Sequence, residues 1–505
     1  MAKSRAKLEY GDFQTPRQLA NDVCSLLDSL RPASILEPTC GIGNFALAAA
    51  QRFPDSRIIG RDINADHVAV AQARASASSL KNVDVQCGDF FETEWRSFLH
   101  GLAEPILILG NPPWVTTSEL GVVGSGNAPT KSNFQLRRGI DAITGKANFD
   151  ISEWMVIRLL EACSGRNACL AMLVKSTVAR KVLLHAWRRG LQIESAATRA
   201  IDALKHFGAS VAACLLIVNF TPGATSSECD EYEDLGSRPP VRTLACCDGH
   251  LVADLAAYRA WSHLGGGDSR WCWRSGIKHD CSAVMEFRLV RGELRNNAGQ
   301  AVDIEWEYLY PMLKSSEVAG RACQPSRWML VPQRVVGEPT ERIEGIAPKT
   351  WQYLQSHRDA FRGRKSTIYK RQPEFSVFGV GPYSFAPWKV AVSGFYKRLT
   401  FTVVGPHEGR PVIMDDTTYF LALESREEAE AIADVLSSQA AQSFYRAFIF
   451  WDAKRPITAE LLRRLDLMRT AEVLNKTAAL TRFASATNLA PSRRTSVASA
   501  EVSLF

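Results

Sequence analysis

Short apolar runs alternate with helical patterns over residues 1–220, and this alternation is typical of an α/β sheet. After Pro16, leucines and valines recur at helical spacing, and Thr15 is placed to cap that helix. The apolar runs predict strands at residues 34–36, 57–61, 83–86, 106–110, 168–174 and, as the last of them, 211–220. The helical patterns predict helices at residues 46–53, 150–163 and 179–189, with Ser152 capping the second.

The strand predicted at residues 106–110 stops at a distinctive tetrapeptide, Asn111-Pro112-Pro113-Trp114. Two prolines cannot continue a sheet ladder, so Asn111 is expected at the carboxyl end of the strand, where open α/β sheets bind ligands. The Asn111 amide and the Pro112 carbonyl offer two hydrogen-bond acceptors in a rigid turn. With the indole of Trp114 beside them, they suit an exocyclic amine on a planar, stacked base. The alternative is a proline-capped strand followed by a tryptophan packed in the core.

A glycine-containing turn, Glu37-Pro38-Thr39-Cys40-Gly41-Ile42-Gly43, follows the first predicted strand. A strand, a glycine turn and a helix form the first half of a nucleotide-binding unit, in which Gly41 and Gly43 let a ligand approach the backbone. A dinucleotide oxidoreductase is the competing interpretation, but the third glycine is missing from its usual offset. Glu37 would repel a pyrophosphate and attract an amino group, which favours a cationic cofactor such as S-adenosylmethionine.

Acidic residues also follow the second and third predicted strands. Asp62 ends the second strand and is placed to accept both hydroxyls of a ribose. Asp89 follows the third strand and is placed to accept from an adenine amine, while Phe90 packs on the adenine ring. Together with Glu37, these residues predict a nucleoside site along one edge of the sheet.

Taken in chain order, these segments resemble the gamma-type N6-adenine DNA methyltransferases of restriction-modification systems. The resemblance rests on residues 13–16, 37–45, Asp62, Asp89 and 111–114. It implies an α/β, Rossmann-like domain that depends on S-adenosyl-L-methionine (AdoMet), followed by a mixed α+β DNA-recognition region. Trp114 departs from the family, which more often has Tyr or Phe at this place, and this changes the size of the base pocket.

The resemblance also implies roles for individual residues. Glu37 would hold the methionine amino group and Thr15 would lie near its carboxylate. Asn111 and Pro112 would hold the target amine, while Phe207 would oppose Trp114 in a stacking sandwich around the extruded base. The cofactor-binding residues implied in this way are Thr15, Pro16, Glu37, Pro38, Gly41, Gly43, Asp62, Asp89 and Phe90.

A polar segment at residues 116–149 follows the tetrapeptide and has little apolar periodicity. Segments of this length are usually functional or disordered. We expect a lid over the DNA strand, in which Lys131 and Lys146 contact phosphates.

Composition shifts divide the chain into regions. We expect a catalytic domain at residues 1–222, an acidic and serine-rich linker at 223–243, a DNA-recognition region at 244–484 and a disordered tail at 485–505. Segments at residues 276–280 and 308–316 resemble the carboxy-terminal half of restriction-modification methyltransferases.

Basic and aromatic residues are interleaved between residues 351 and 400. This window holds nine Lys or Arg residues and two acidic residues. Such a mixture predicts a surface that binds the DNA backbone and touches bases. The DNA contacts expected here are Arg364, Lys365, Lys370 and Arg371. The alternative is a solvated β-surface over an ordinary aromatic core.

Composition narrows the class of protein without identifying it. The 505 residues are 46% hydrophobic and 22% charged, as in ordinary globular proteins, and the net charge is +7. The N-terminal residues lack a secretory signal, and no apolar run approaches a membrane span. The twelve cysteines form no Cys-x-x-Cys pair, which fits reduced thiols in a cytoplasm. The spacing of the His and Cys groups matches no common metal site, so no metal is expected.

The leading interpretation is a site-specific methyltransferase that acts on adenine N6 in duplex DNA by base flipping. A separate restriction endonuclease acting on the same site is an expected partner. The enzymatic alternatives are methylation of N4-cytosine in DNA, of RNA or of a protein glutamine. The non-enzymatic alternative is a catalytically idle DNA-binding subunit.

Overall fold

The computed structural model describes residues 14–115, 150–267, 270–321 and 324–484. The chain divides into two compact units, Met1–Ala256 and Ala257–Phe505, called unit 1 and unit 2 below. Within the described ranges, no helix is both long and apolar enough to cross a lipid bilayer.

The described part of unit 1 is built on one ten-stranded sheet. Its strands are β1 (Ser34–Glu37), β2 (Arg57–Asp62), β3 (Val83–Cys87), β4 (Ile106–Gly110), β5 (Ala168–Lys175), β6 (Ile193–Ile201), β7 (Ala213–Phe220), β8 (Glu228–Tyr232), β9 (Arg242–Cys247) and β10 (His250–Val252). They lie in the order β10-β9-β8-β6-β7-β5-β4-β1-β2-β3. Strands β1 to β5 run parallel to one another, and β7 returns antiparallel beside β5.

Helices connect these strands. They are α1 (Arg17–Leu26), α2 (Asn44–Arg52), α3 (Ala65–Ala77), α4 (Trp95–His100), α5 (Ile151–Cys163), α6 (Ser176–Arg188) and α7 (Ala203–Phe207). The structure confirms the predicted strands of the parallel sheet. Strands β1, β4 and β5 could be recognised because they are almost entirely buried and therefore appear in the sequence as apolar runs. The predicted cap of α5 is wrong, since Asp150 is the N-cap residue and its side chain accepts a hydrogen bond from the Ser152 amide.

The chain order places a topological switch point between β1 and β4. From β1 the chain proceeds outward to β2 and β3, and then returns to β4 on the other side of β1. Loops that follow β1 and β4 therefore diverge and leave a crevice at the carboxyl ends of the strands.

The predicted linker at residues 223–243 is wrong. Strands β8 and β9 lie in this region, with β8 paired to β6 and β9 continuing to Cys247, so unit 1 extends to Ala256. Only Cys229 of β8 is fully buried, which is why this strand reads as a polar segment. The sequence interpretation also missed β6, in which three alanines lie among polar residues and the β-branched residues are few and scattered.

The described part of unit 2 contains two smaller sheets. Their strands are β11 (Arg274–Ser275), β12 (Glu286–Val290), β13 (Glu293–Asn296), β14 (Leu309–Leu313), β15 (Arg327–Leu330), β16 (Trp388–Ser393), β17 (Thr402–Val404), β18 (Ile413–Met414) and β19 (Thr418–Leu423). The sheet orders are β11-β19-β16-β17 and β13-β12-β15-β14-β18. This arrangement agrees with the expected mixed α+β region.

Helix α8 (Leu255–Trp261) spans the boundary between the two units along the chain. The remaining helices belong to unit 2 and are α9 (Ser282–Met285), α10 (Ser315–Ala319), α11 (Ile343–Ile346), α12 (Pro348–Ser356), α13 (Arg358–Arg362), α14 (Arg426–Ser437), α15 (Gln439–Arg446), α16 (Ala459–Leu462), α17 (Leu467–Val473) and α18 (Thr477–Ala484). Single 3₁₀ turns lie at Ser262–Leu264, Trp306–Tyr308, Thr367–Arg371 and Pro382–Phe385.

A buried charge network lies inside unit 2. Glu286 begins β12 and is 2% exposed; it accepts a 2.7 Å hydrogen bond from Lys314 Nζ, and His279 Nε2 lies 3.4 Å away. Burial alone would raise the pKa of Glu286, but hydrogen bonds from His279 and Lys314 lower it to about 2. The carboxylate therefore stays ionised and joins three separate segments of the unit.

Candidate active site

The carboxyl ends of the central parallel strands surround a pocket. The pocket lies at the switch point of the sheet, where open α/β sheets bind ligands. The sequence-predicted residues that line it are Thr15, Glu37, Pro38, Gly41, Asp62, Asp89, Phe90, Asn111 and Pro113. The structure therefore brings most of the predicted cofactor residues together.

Glu37 lies at the end of β1, in the wall of this pocket. It is 3% exposed, and its Oε2 accepts a 2.8 Å hydrogen bond from the amide of Ala46 in the first turn of α2. Burial raises the pKa of this carboxyl well above its ordinary value, more than the Ala46 hydrogen bond lowers it. A buried carboxyl group of this kind favours a cationic ligand, whose positive charge would stabilise the ionised carboxylate.

The turn after β1 approaches the end of β2. Gly41 has a φ of +50°, and its amide donates to Asp62 Oδ2 over 2.8 Å. A Cβ atom at Gly41 would lie 2.6 Å from Gln14 Oε1, so a side chain there would displace Gln14. Asp62 Oδ1 also accepts from the Asn64 amide over 2.9 Å. These bonds fix the Asp62 carboxylate, whose oxygens retain lone pairs for the hydroxyls of a ligand.

The residues after β3 form an apolar part of the wall. Phe90 is 6% exposed and packs on Trp95 with ring centroids 4.6 Å apart. Its neighbour Asp89 accepts a 2.7 Å hydrogen bond from the Phe91 amide through Oδ1. Ile63, which follows β2, is 41% exposed and also lines the pocket. A planar base can therefore contact apolar side chains and a carboxylate in the same place.

Asn111 follows β4 and lines the same pocket, with its side-chain oxygen buried. A Cβ atom at Gly110 would lie 3.6 Å from Glu37 Cγ, so the chain passes close to Glu37 as it enters the tetrapeptide. Pro113 lines the pocket as well, whereas Pro112 is buried outside the lining. The polar groups expected to hold cofactor and acceptor are thus neighbours.

The structure corrects the predicted stacking sandwich. Trp114 is 5% exposed, and its indole N–H donates to the Leu173 carbonyl over 3.2 Å. Phe207 lies beside Trp114 with ring centroids 5.1 Å apart and planes inclined by 66°. Edge-to-face rings are a favourable aromatic arrangement, but they leave no parallel gap for a base. The indole therefore packs in the core of unit 1, as the alternative interpretation of the tetrapeptide expected.

Other predicted residues lie outside the pocket lining. Pro16 precedes α1, and Gly43 lies against α3, where an added Cβ would come within 3.0 Å of Ala71 Cβ. Gly43 therefore serves helix packing. Lys131 and Lys146, with the expected lid at residues 116–149, lie outside the described residues.

Several lining residues were missed by the sequence interpretation. Asn64 and His67 lie at the start of α3, and Ile151 and Met155 lie on α5. Their position close behind Asp62 in the chain was a signal for the first two. The α5 residues carried none, because an apolar helical pattern reads the same whether it faces a core or a pocket.

The basic segment of unit 2 separates into two kinds of residue. Lys365, Lys370 and Arg371 are exposed, and within the described ranges no ion pair holds them. Arg364 is different, because its guanidinium donates to the carbonyls of Phe361, His279 and Ser376 and lies 3.6 Å over the Tyr369 ring. The prediction of a DNA contact at Arg364 is therefore wrong: this side chain fastens the segment to unit 2.

The interleaved aromatics of this segment are mostly interior. Phe375 is fully buried and packs edge-on against Phe361 and Trp351. Tyr396, in contrast, is 45% exposed. The expectation that this aromatic series touches bases is thus wrong for Phe375, which is a core residue.

Comparisons with known proteins point to one class of enzyme. Residues 35–101 match the family model described as a methyltransferase domain. The chain is 43% identical over 474 residues to the type II methyltransferase M.NspV of Nostoc sp., covering 93% of this chain and 98% of that protein. A shorter match, to the release factor glutamine methyltransferase of Escherichia coli, is 34% identical over 85 residues and covers 17% of this chain and 28% of that protein.

A solved structure supports the fold along most of the chain. It is described as the type IIL restriction-modification enzyme MmeI in complex with DNA, and it superposes with a TM-score of 0.52 at 13% identity. The match covers 97% of this chain and 70% of that one. At this identity the likeness extends to the fold alone.

Proposed function

This chain belongs to the type II DNA methyltransferases of restriction-modification systems, whose methyl donor is AdoMet, and we propose that its acceptor is the N6 amine of adenine in a specific duplex sequence. The observation that carries the proposal is the position of Asn111. It lines the donor pocket directly after Gly110, the residue at the end of β4 that lies close to Glu37. An amide at this point can hold an amine next to the donor.

The pocket fits AdoMet on the chemistry of its side chains. Glu37 is a buried carboxyl group suited to the methionine ammonium, and Asp62 is a fixed carboxylate suited to the ribose hydroxyls. Phe90 with Ile63 offers apolar surface to adenine, and Asp89 offers a carboxylate to its amine. We assign the cofactor contacts to these residues, with Thr15 near the methionine carboxylate. Bound AdoMet supplies a methyl group activated by a positively charged sulfur.

The tetrapeptide acts by positioning and electrostatics. An adenine amine is a weak nucleophile because its lone pair is delocalised into the ring. When Asn111 Oδ1 and the Pro112 carbonyl accept its two hydrogens, the nitrogen becomes more pyramidal and its lone pair points towards the donor. Bound AdoMet would give its methyl group to this nitrogen as the carbon–sulfur bond breaks, and the surplus proton would be released to water. The target base must leave the duplex for this to happen, so we infer base flipping.

Duplex DNA is the inferred partner of unit 2. The exposed Lys365, Lys370 and Arg371 are suited to phosphate contacts, which give affinity and register without reading sequence. A separate restriction endonuclease of the same specificity is the expected companion, and the cytoplasm the expected compartment.

Sequencing with modified-base detection tests the acceptor. DNA from a methylation-deficient host that expresses the wild-type chain should carry N6-methyladenine at one recurring sequence. The matched control is Asn111→Ala, which should leave that sequence unmodified while the purified variant still binds AdoMet. Modification of cytosine N4 instead would overturn the adenine proposal, and near-normal methylation by Asn111→Ala would overturn the positioning mechanism.

A further inference from the structure

Lys175 ends β5 and connects two segments that flank the active site. Its Nζ donates to the Trp114 carbonyl over 3.2 Å and to Asp150 Oδ2 over 2.6 Å. The Lys175 side chain is 22% exposed and that of Asp150 is 9% exposed, so the pair is largely shielded from water. One ammonium group thereby links the last residue of the tetrapeptide to the cap of α5.

The neighbouring contacts make this link rigid. Asp150 uses its other oxygen to accept from the Ser152 amide over 3.1 Å and from the Ser152 hydroxyl over 2.5 Å. The Ile151 amide donates to the Val115 carbonyl over 2.9 Å. Trp114 and Val115, at the end of the tetrapeptide, are therefore linked to Asp150 and Ile151, at the start of α5.

Strand β5 holds the tetrapeptide at three points. Gly110, just before Asn111, is paired in register with Met172. The Leu173 carbonyl accepts from the Trp114 indole, and Lys175 donates to the Trp114 backbone. The strand thus holds the turn at both ends. Of these three attachments, only the Lys175 bond depends on a polar side chain of β5.

We propose that Lys175 is a positioning residue for methyl transfer, which holds the Asn111–Trp114 turn in the geometry that grips the acceptor amine. The inference rests on the proposed function of the tetrapeptide. Catalysis by positioning is sensitive to displacements well below 1 Å, so a looser turn should slow the chemical step more than it weakens donor binding. Lys175 itself lies outside the pocket lining, so we assign it no contact with donor or acceptor.

The test compares Lys175→Met and Lys175→Arg with Lys181→Met. Lys181 lies on α6 and pairs with Glu153 Oε2 on α5 over 3.0 Å, so its loss breaks a nearby ion pair without touching the tetrapeptide. For each variant we would measure the AdoMet dissociation constant, the thermal midpoint, and kcat for transfer of labelled methyl to DNA well below that midpoint.

We expect Lys175→Met to lower kcat by at least about tenfold while the AdoMet dissociation constant changes by less than about threefold. Lys175→Arg, which keeps a cationic donor, should recover most of kcat. Lys181→Met should keep kcat even if its thermal midpoint falls. The inference is overturned if Lys175→Met retains kcat, if arginine does not restore it, or if Lys181→Met loses as much activity for an equal fall in midpoint.

Hydrogen exchange gives a readout besides activity. In Lys175→Met the amides of Ile151 and Ser152 should exchange faster, because their acceptors are no longer held; unchanged protection would contradict the link. Labelled methyl is counted without regard to the base. A product methylated on cytosine would therefore overturn the proposed acceptor alone and leave the role of Lys175 intact.

Discussion

Replacing Glu37 by glutamine tests the proposed cofactor site most directly. The amide keeps the size of the side chain and can still accept from the Ala46 amide, whose bond to Glu37 is 2.8 Å long. It removes only the charge that we assign to the methionine ammonium. A charge-assisted hydrogen bond contributes about 1.5–3 kcal/mol, so AdoMet should bind about 10- to 150-fold more weakly to Glu37→Gln.

The same substitution should stabilise the protein without ligand. Burial raises the pKa of Glu37, so the folded state binds its proton more tightly than the unfolded state does. The stability linked to that proton is present below the ordinary pKa of 4.5 and is lost as pH rises through the raised value. Glutamine is neutral throughout, so the stability gain of Glu37→Gln over wild type should grow with rising pH.

Calorimetric titration with AdoMet, combined with thermal unfolding, measures both effects. At a ligand concentration of 100 times the wild-type dissociation constant, AdoMet should stabilise the wild type by about 2.7 kcal/mol, and a variant that binds 30-fold more weakly by only about 0.9 kcal/mol. The control is Glu161→Gln on α5, which removes a carboxylate charge beside His185 outside the pocket and should keep its AdoMet affinity. Wild-type affinity in Glu37→Gln would refute the assignment of Glu37 to the ammonium.

Two further predictions concern unit 2. The double variant Lys365→Ala/Arg371→Ala should bind DNA more weakly, with a slope of log affinity against log salt concentration that is smaller by about 2, because each basic residue accounts for about one phosphate contact. The control is Lys349→Ala, which removes an exposed ion-pair partner of Asp303 and should leave the slope unchanged. A wild-type slope in the double variant would show that the segment with Lys365 and Arg371 does not contact DNA. Glu286→Gln should lower stability at pH 7 by about 3 kcal/mol, since Lys314 then loses its buried counter-charge. The pKa of Glu286 is lowered to about 2, so its contribution is present above pH 4.5 and lost as pH falls towards 2; denaturation curves of variant and wild type should therefore converge in acid.

The central strands β1, β4 and β5 of the parallel half were readable from sequence because they are buried on both faces. Strands such as β4 and β5 appear as unbroken apolar runs, and the end of β4 is also marked by Gly110 and the prolines that follow. The far half was not readable. Strand β8 buries a single side chain and β6 is rich in alanine, so neither carries a periodic signal.

Local sequence determined the chemistry offered by the pocket. Glu37 and Asp62 end strands of the parallel sheet, and Asn111 directly follows one. The carboxyl ends of parallel strands meet at one edge, so the convergence of these residues follows from chain order alone. Tertiary packing decided what chain order leaves open. It turned the Trp114 ring into the core, committed Arg364 to backbone carbonyls inside unit 2, and brought Lys175 to the Trp114 carbonyl across 61 positions of sequence. The direction of a side chain depends on neighbours distant in the chain, and only the folded structure brings them into contact.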